Sequence, residues 1–247
     1  MSRITYYAIG DVHGMDDMLA ALHEAIWADV KAQGNPVQLV HCGDYVDRGP
    51  QSWQVVERLM ALEQAGDAVC LLGNHEDMMV SALRHKRAHN VEDWLHNGGR
   101  QTLASYGGEF CHVPDEHLVW MESLPFMLVD ERQKLVFVHA GIEPGDFPHI
   151  RREVALWTRS PRFFDDTRWP GSLDGWMVVH GHTPTICGFE YCSYGPRINV
   201  DTGACFGARL TCARLRPKKA GGGHAVSYCS VGPDLVPVWE DARAEAA

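Results

Sequence analysis

The stretch Ile4-Thr5-Tyr6-Tyr7-Ala8-Ile9-Gly10-Asp11-Val12-His13-Gly14 sets the reading of this chain. Its first six residues form an unbroken run, as in a strand buried on both faces. The run ends at a glycine followed by Asp-x-His. Asp11 and His13 are two apart, so extended backbone puts both on one face, as two ligands to one cation require. The same order then recurs. Val37-Gln38-Leu39-Val40-His41-Cys42 runs into Gly43-Asp44-Tyr45-Val46-Asp47-Arg48-Gly49, and Ala68-Val69-Cys70-Leu71-Leu72 runs into Gly73-Asn74-His75-Glu76.

Helical patterns separate these strands. Met18, Leu19, Leu22, Ile26 and Val30 form an apolar stripe and predict a helix over 16–30. Pro50 suits the first turn of a second helix, reaching about residue 64. A third is expected over 76–87. Strand and helix in this alternation argue for a parallel sheet covered by helices. The second half is richer in strands, at 135–138, 176–179, 197–200 and 209–212, joined by Gly-, Pro- and Asp-rich connections. The expectation is a layered α/β fold with one or two sheets between helices. It forms one domain over 1–247, with its core at about 4–212 and a polar, Ala-rich tail at 240–247 that frays as a helix.

Composition narrows the function. The chain has 247 residues, 45% hydrophobic and 22% charged, which excludes wholesale disorder. A net charge of −10 argues against nucleic acid as a partner, because that binding draws on Lys and Arg. No apolar stretch approaches a membrane span, and no signal peptide precedes the first strand. The eight Cys then read as reduced thiols of a cytoplasmic protein. Cys187 and Cys192 make a weak zinc pattern, since no second pair follows at matching spacing. Residues 217–223 form a basic, Gly-rich loop.

Two later strands run into His139-Ala140-Gly141 and His180-Gly181-His182-Thr183. Ligands of open α/β sheets bind beyond the carboxyl ends of strands, so five such loops on one edge make one site. Asp44 can bridge two cations, Asn74 offers a neutral oxygen, and His139 and His180 offer imidazole nitrogens. A mixed oxygen and nitrogen set favours Mn, Fe or Zn. Each signal alone has an ordinary structural explanation; five in this order argue for chemistry. His182 either orients a neighbouring ligand or caps its turn, and Cys42 reads as packing.

Taken together, these motifs resemble the signature of the metallophosphoesterase superfamily. The resemblance runs from Ile4 to about Leu210 and is nearest the phosphoprotein phosphatases, especially bacterial and phage serine/threonine protein phosphatases. It implies a calcineurin-like fold with sheets sandwiched between helices. It also implies two divalent metals, Mn2+ first with Fe or Zn as alternatives. Asp11, His13 and Asp44 would hold the first; Asp44, Asn74, His139 and His180 the second. His75 resembles the general acid, Asp47 its orienting carboxylate and Arg48 a phosphate-binding arginine. Trp157-Thr158-Arg159 resembles the segment supplying a second such arginine, Arg159, with Arg162 as the fallback. The implied reaction is direct attack by a hydroxide bridging the metals, with no phospho-enzyme.

The implied substrate is a phosphorylated protein or a small phosphorylated molecule. Residues 181–184 and 199–204 lean towards protein phosphatases. Ala140 is what symmetrical diadenosine tetraphosphate hydrolases of the same family resemble, so a dinucleotide is the alternative. A non-catalytic binding module would lack a ligand or the acid, and none is missing. Residues 94–103 read either as a helix stop at Gly98-Gly99 or as substrate recognition at the rim.

Overall fold

Alternation along the first strand decides how the layers stack. β1 (Thr5–Ile9) is buried at all five residues. Tyr7 and Ile9 pack against Met18, Leu19, Leu22 and Ile26 of α1 (Asp16–Gln33). Tyr6 and Ala8, on the other face, meet a second sheet. β2 (Val37–His41) lies parallel to β1, with Ile9 opposite His41. α2 (Ser52–Gln64) then crosses to β3 (Ala68–Cys70), which pairs in parallel with β2. α3 (Asn74–Leu83) follows directly. The coordinates, a computed structural model, describe residues 3–33, 36–84, 88–185, 193–218 and 222–242.

A helical module comes next: α4 (Ala88–Trp94), α5 (Arg100–Ser105) and α6 (Asp115–Ser123). Trp94, Leu118 and Met121 close its small core against Val46, Val56, Met79 and Val80. The second sheet begins with β4 (Met127–Asp130) and β5 (Leu135–Val138). After α7 (Arg152–Trp157) and α8 (Pro161–Phe164) come β6 (Met177–His180), β7 (Ser193–Tyr194) and β8 (Arg197–Asn199). β9 (Leu210–Pro217), β10 (His224–Val231) and β11 (Pro237–Asp241) return to the first sheet. The strand orders are β11-β10-β9-β1-β2-β3 and β4-β5-β6-β8-β7.

Four layers result: helix, sheet, sheet, helix. Between the sheets, Tyr6, Ala8, Val40 and Leu215 meet Phe137, Val179 and Ile198. Outside the second sheet, Val136, Val138 and Val178 pack on Ile142, Ala155 and Phe163. This is the expected α/β arrangement with sheets between helices.

Several local expectations need correction. α2 starts at Ser52 with Gln51 as its N-cap, so Pro50 precedes the helix rather than lying in its first turn. The Gln51 N–H is spent on Gly14 O at 2.9 Å, which ties the entry to the Asp-x-His loop. α3 starts at Asn74, two residues earlier than expected, because Glu76 acts as its N3 capping residue. The sheet also continues past 212. Ser227 and Ser230 of β10 are buried polar positions that hide its strand pattern, and their hydroxyls accept from Arg214 and Arg209. Glu240 and Asp241 lie in β11 rather than in a helical tail. Cys187, Cys192, the loop centre 219–221, the expected helix end at 85–87 and the tail 243–247 lie outside the described residues.

Candidate active site

Strand parity decides which histidines reach the site. On β5, Leu135 and Phe137 face the other sheet, and His139 follows with the same parity. Its Nδ1 donates to Cys42 O at 2.9 Å, and its Nε2 lies 2.8 Å from Asn74 Oδ1 and 3.3 Å from Asp44 Oδ1. On β6, Val178 faces outward, and His180 shares that face. The His180 ring packs against Phe163 at 5.0 Å, Nδ1 donates to Gly181 O at 2.9 Å, and Nε2 accepts from Arg197 at 3.0 Å. The metal-competent set around Asp44 and His139 among the described residues includes His182 and not His180, so the expectation for His180 is corrected. Gly181 and the left-handed His182 (φ 69) turn the chain back, placing His182 Nδ1 2.9 Å from Asn74 Oδ1 and 3.1 Å from His139 Nε2.

Two sets of metal-competent side chains share Asp44: His13 with His75, and His139 with His182. Asp44 Oδ2 faces His13 Nε2 at 3.4 Å and His75 Nε2 at 3.9 Å, while Oδ1 faces His139. Burial would raise the Asp44 pKa; the rings of His139, His75 and His13 outweigh it and hold it low. Asp11 is close to Asp44 and Asp201 and accepts from His182 N at 3.1 Å. Burial, with these two carboxylates, pushes the Asp11 pKa well up. Asp201, also buried, was not singled out from the sequence.

The donor set fits divalent cations. A carbonyl oxygen only accepts, so His139 Nδ1 carries the proton and Nε2 presents a lone pair towards Asn74 Oδ1. His13 is held in the same way, with Nδ1 donating to Val46 O at 2.8 Å. Burial depresses His13 and His182 to about 3, so both rings are neutral, as ligands must be. Lone pairs and buried carboxylates thus converge where a cation would resolve their repulsion.

His75 lies beside this centre with its Nδ1 2.7 Å from Asp47 Oδ2. Burial alone would lower the His75 pKa; Asp44 and the bond to Asp47 outweigh it and raise it. Asp47 is fully buried and tightly held. Trp94 Nε1 donates to its two oxygens at 2.9 and 3.1 Å, and the Thr102 hydroxyl donates to Oδ1 at 2.7 Å. Asp47 N in turn donates to Thr102 Oγ1 at 2.7 Å. Residues 94–103 hold the helix stop expected at Gly98-Gly99, a break with Gly98 at φ 112, and they also clasp Asp47. Residues 95–99 join α4 to α5 across a kink at Gly98. Gly98 (φ 112) is required there, since a Cβ would lie 2.7 Å from Arg48 N.

Arg48 reaches His13 Nε2 at 2.7 Å and His75 Nε2 at 2.9 Å, so its guanidinium lies against the centre. Arg159 is near enough for its charge to lower the His182 pKa, while Arg162 is 81% exposed and faces Glu143 at 3.8 Å. Glu76, given no role from sequence, is fully buried and accepts N–H groups from Asp44, Tyr45, Val46 and Gly73 at 2.7–3.1 Å. It shapes the Asp44 loop. Of the seven non-glycine residues with positive φ among the described residues, His13, Asp44, Asp47, Arg48 and His182 belong to this site. Such backbone costs about 1–3 kcal/mol each and persists only where surrounding contacts impose it.

Comparison with known proteins follows this geometry. The calcineurin-like phosphoesterase family model matches residues 4–217. The asymmetrical bis(5'-nucleosyl)-tetraphosphatase PrpE of Bacillus subtilis (strain 168) is 29% identical over 229 residues, 84% of this chain and 89% of that protein. The symmetrical bis(5'-nucleosyl)-tetraphosphatase of Klebsiella pneumoniae (strain 342) is 36% identical over 202 residues, 75% of this chain and 65% of that protein. A cold-active protein-tyrosine phosphatase of a psychrophile Shewanella sp. shares the fold with a TM-score of 0.62, covering 96% of this chain and 80% of that one at 18% identity.

Proposed function

The chain belongs to the calcineurin-like phosphoesterase family, and from this premise we propose that its substrate is a dinucleoside tetraphosphate. Hydrolysis of phosphoric esters comes with the family. The observation that carries the finer reading is the run of relatives named as tetraphosphatases, aligned over most of both chains. This reverses the order that residues 181–184 and 199–204 suggested, in which phosphoproteins came first.

The residues divide the work as follows. Asp11, His13 and Asp44 hold one divalent cation, and Asp44, Asn74, His139 and His182 hold the other. When bound, such cations supply an activated water and neutralise phosphoryl charge. The mixed donors suit Mn2+, with Fe or Zn as alternatives. Arg48 and Arg159 bind phosphoryl oxygens with planar, charge-assisted donors. His75 protonates the departing phosphate oxygen, and Asp47 keeps the proton on the ring and the ring in place. These cations and arginines make the site locally positive within a chain of net charge −10.

No helix among the described residues is long and apolar enough to cross a membrane. Cys42, Cys70, Cys111, Cys205, Cys212 and Cys229 are free thiols, which supports a cytoplasmic location.

The deciding experiment compares kcat/KM for diadenosine tetraphosphate with that for phosphoserine, phosphothreonine and phosphotyrosine peptides. The dinucleotide is expected to win by at least about tenfold, a margin of about 1.4 kcal/mol. A peptide that equals or exceeds it returns the phosphoprotein reading.

A further inference from the structure

Two exposed aromatic rings stand at the rim of this site, one beside each half of it. Phe206 is 60% exposed and Trp157 is 46% exposed. The Phe206 ring centre lies 5.6 Å from the guanidinium carbon of Arg48, which bonds His13 and His75. The Trp157 ring stands edge-on to His182 at 6.2 Å and 83°, and His182 bonds Asn74. Asp44 joins the two halves.

Both rings are held out by a rigid frame. Phe206 closes the short turn Ala204–Phe206 between Gly203 and Gly207, left-handed at φ 77 and 80. Asp201 accepts from Gly203 N at 3.0 Å, and Ala204 is packed into the core. Trp157 ends α7, and Ala155 O of that helix accepts from Ala140 N, next to His139, at 2.7 Å. Each ring is therefore anchored to a loop that also supplies a site residue. A scattered exposed aromatic needs no explanation; two, each in contact with a different half of one polar centre, do. The ligand that uses such rings carries flat aromatic groups at both ends of an anionic chain.

We propose that Phe206 and Trp157 are base-stacking platforms, each taking one nucleobase of a dinucleotide whose phosphates lie across Asp44 between Arg48 and Arg159. This rests on the dinucleotide reading and deepens it. Stacking uses the π-face that every base presents, so adenine is not required over guanine.

The test uses Phe206→Ala and Trp157→Ala in the metal-loaded enzyme. Three quantities are measured: KM for diadenosine tetraphosphate, and inhibition constants for AMP and for inorganic phosphate against an aryl phosphomonoester. Each variant is expected to raise the KM about tenfold, and the pair about a hundredfold, from the usual worth of one stacked base. At least one single variant raises the AMP constant by a similar factor, while the phosphate constant moves less than about twofold. Phe206→Tyr and Trp157→Phe restore the wild-type values. A dinucleotide KM unmoved in the double variant overturns the platforms and leaves the substrate reading standing. If wild type does not hydrolyse the dinucleotide but the AMP constant still depends on either ring, the substrate reading fails and base stacking stands. Parallel loss of AMP and phosphate binding also overturns it, since the site itself has then been disturbed.

Discussion

Replacing Trp94 with Phe tests whether the clasp on Asp47 matters for proton transfer. The change removes one N–H and keeps most of the ring's bulk. The lost donor reaches the two Asp47 oxygens at 2.9 and 3.1 Å. Asp47 and Trp94 are both fully buried, so water does not replace it. A hydrogen bond to a charged group is worth about 1.5–3 kcal/mol, which is about 1–2 pKa units. The Asp47 carboxylate becomes harder to keep ionised by that amount, and its hold on His75 weakens. Thr102 still donates at 2.7 Å, so the pair is impaired rather than lost. The expected result is a kcat about 10- to 100-fold lower on alkyl phosphates, whose leaving oxygen needs a proton. On aryl phosphates, which need it less, the loss stays below about threefold. Steady-state kcat over esters graded by leaving-group basicity is the assay, with the melting temperature as a control for folding. Trp94→Phe and Thr102→Val should both steepen the dependence of log kcat on leaving-group pKa. An unchanged slope with a uniform drop refutes the reasoning: Trp94 would then only fill space beside Gly99.

Other outcomes follow from the same geometry. Chelation should abolish activity and Mn2+ should restore it; full turnover in enzyme shown by elemental analysis to be metal-free would sink the dimetal assignment. Asp44→Asn should cost at least about a hundredfold in kcat, since it weakens the one ligand shared by both sets, and bound metal per chain should fall with it. His182→Ala should lower metal content. His180→Ala should keep it but cost about 2–4 kcal/mol in urea unfolding, through the cavity left against Phe163; the reverse pattern would restore His180 as the ligand. His23 and His41 face each other at 3.3 Å in the core, and burial lowers His23 to about 4 and His41 as well. Both are neutral in the fold and become charged in the unfolded chain below about pH 6.5. The stability present above that pH is therefore lost as pH falls towards 4, by about 3 kcal/mol for His23. His23→Gln should flatten the fall of melting temperature over that window, and identical curves would contradict it.

The candidate site was legible to the extent that its signals were local. Each loop lies directly after an apolar run, and glycine flanks most ligand pairs, so Asp11, His13, Asp44, Asn74, His75 and His139 could be placed at strand ends from neighbouring residues alone. The α/β layering could be read for the same reason: helical and strand periods alternate within short windows. β10 escaped because its buried Ser227 and Ser230 are satisfied by Arg214 and Arg209, and no apolar pattern records such pairing. β11 escaped because all five of its residues are exposed, so no buried face marks it.

What the sequence determined by itself was the chemistry: carboxylates, imidazoles and arginines after strands, in an order that resembles one superfamily. What only the tertiary structure decided was which atoms meet. His180 ends β6 and His182 lies two residues beyond it, and choosing between them needed the face on which Val178 is buried and the left-handed turn at His182. The clasp on Asp47 comes from Trp94 and Thr102, 47 and 55 residues away, and Trp157 and Phe206, which contact His182 and Arg48, come from the end of α7 and a separate turn far along the chain. Backbone periodicity acts over a few residues and is written in the order of side chains. The partners of a buried carboxylate depend on how layers pack, and that exists only once the chain has folded.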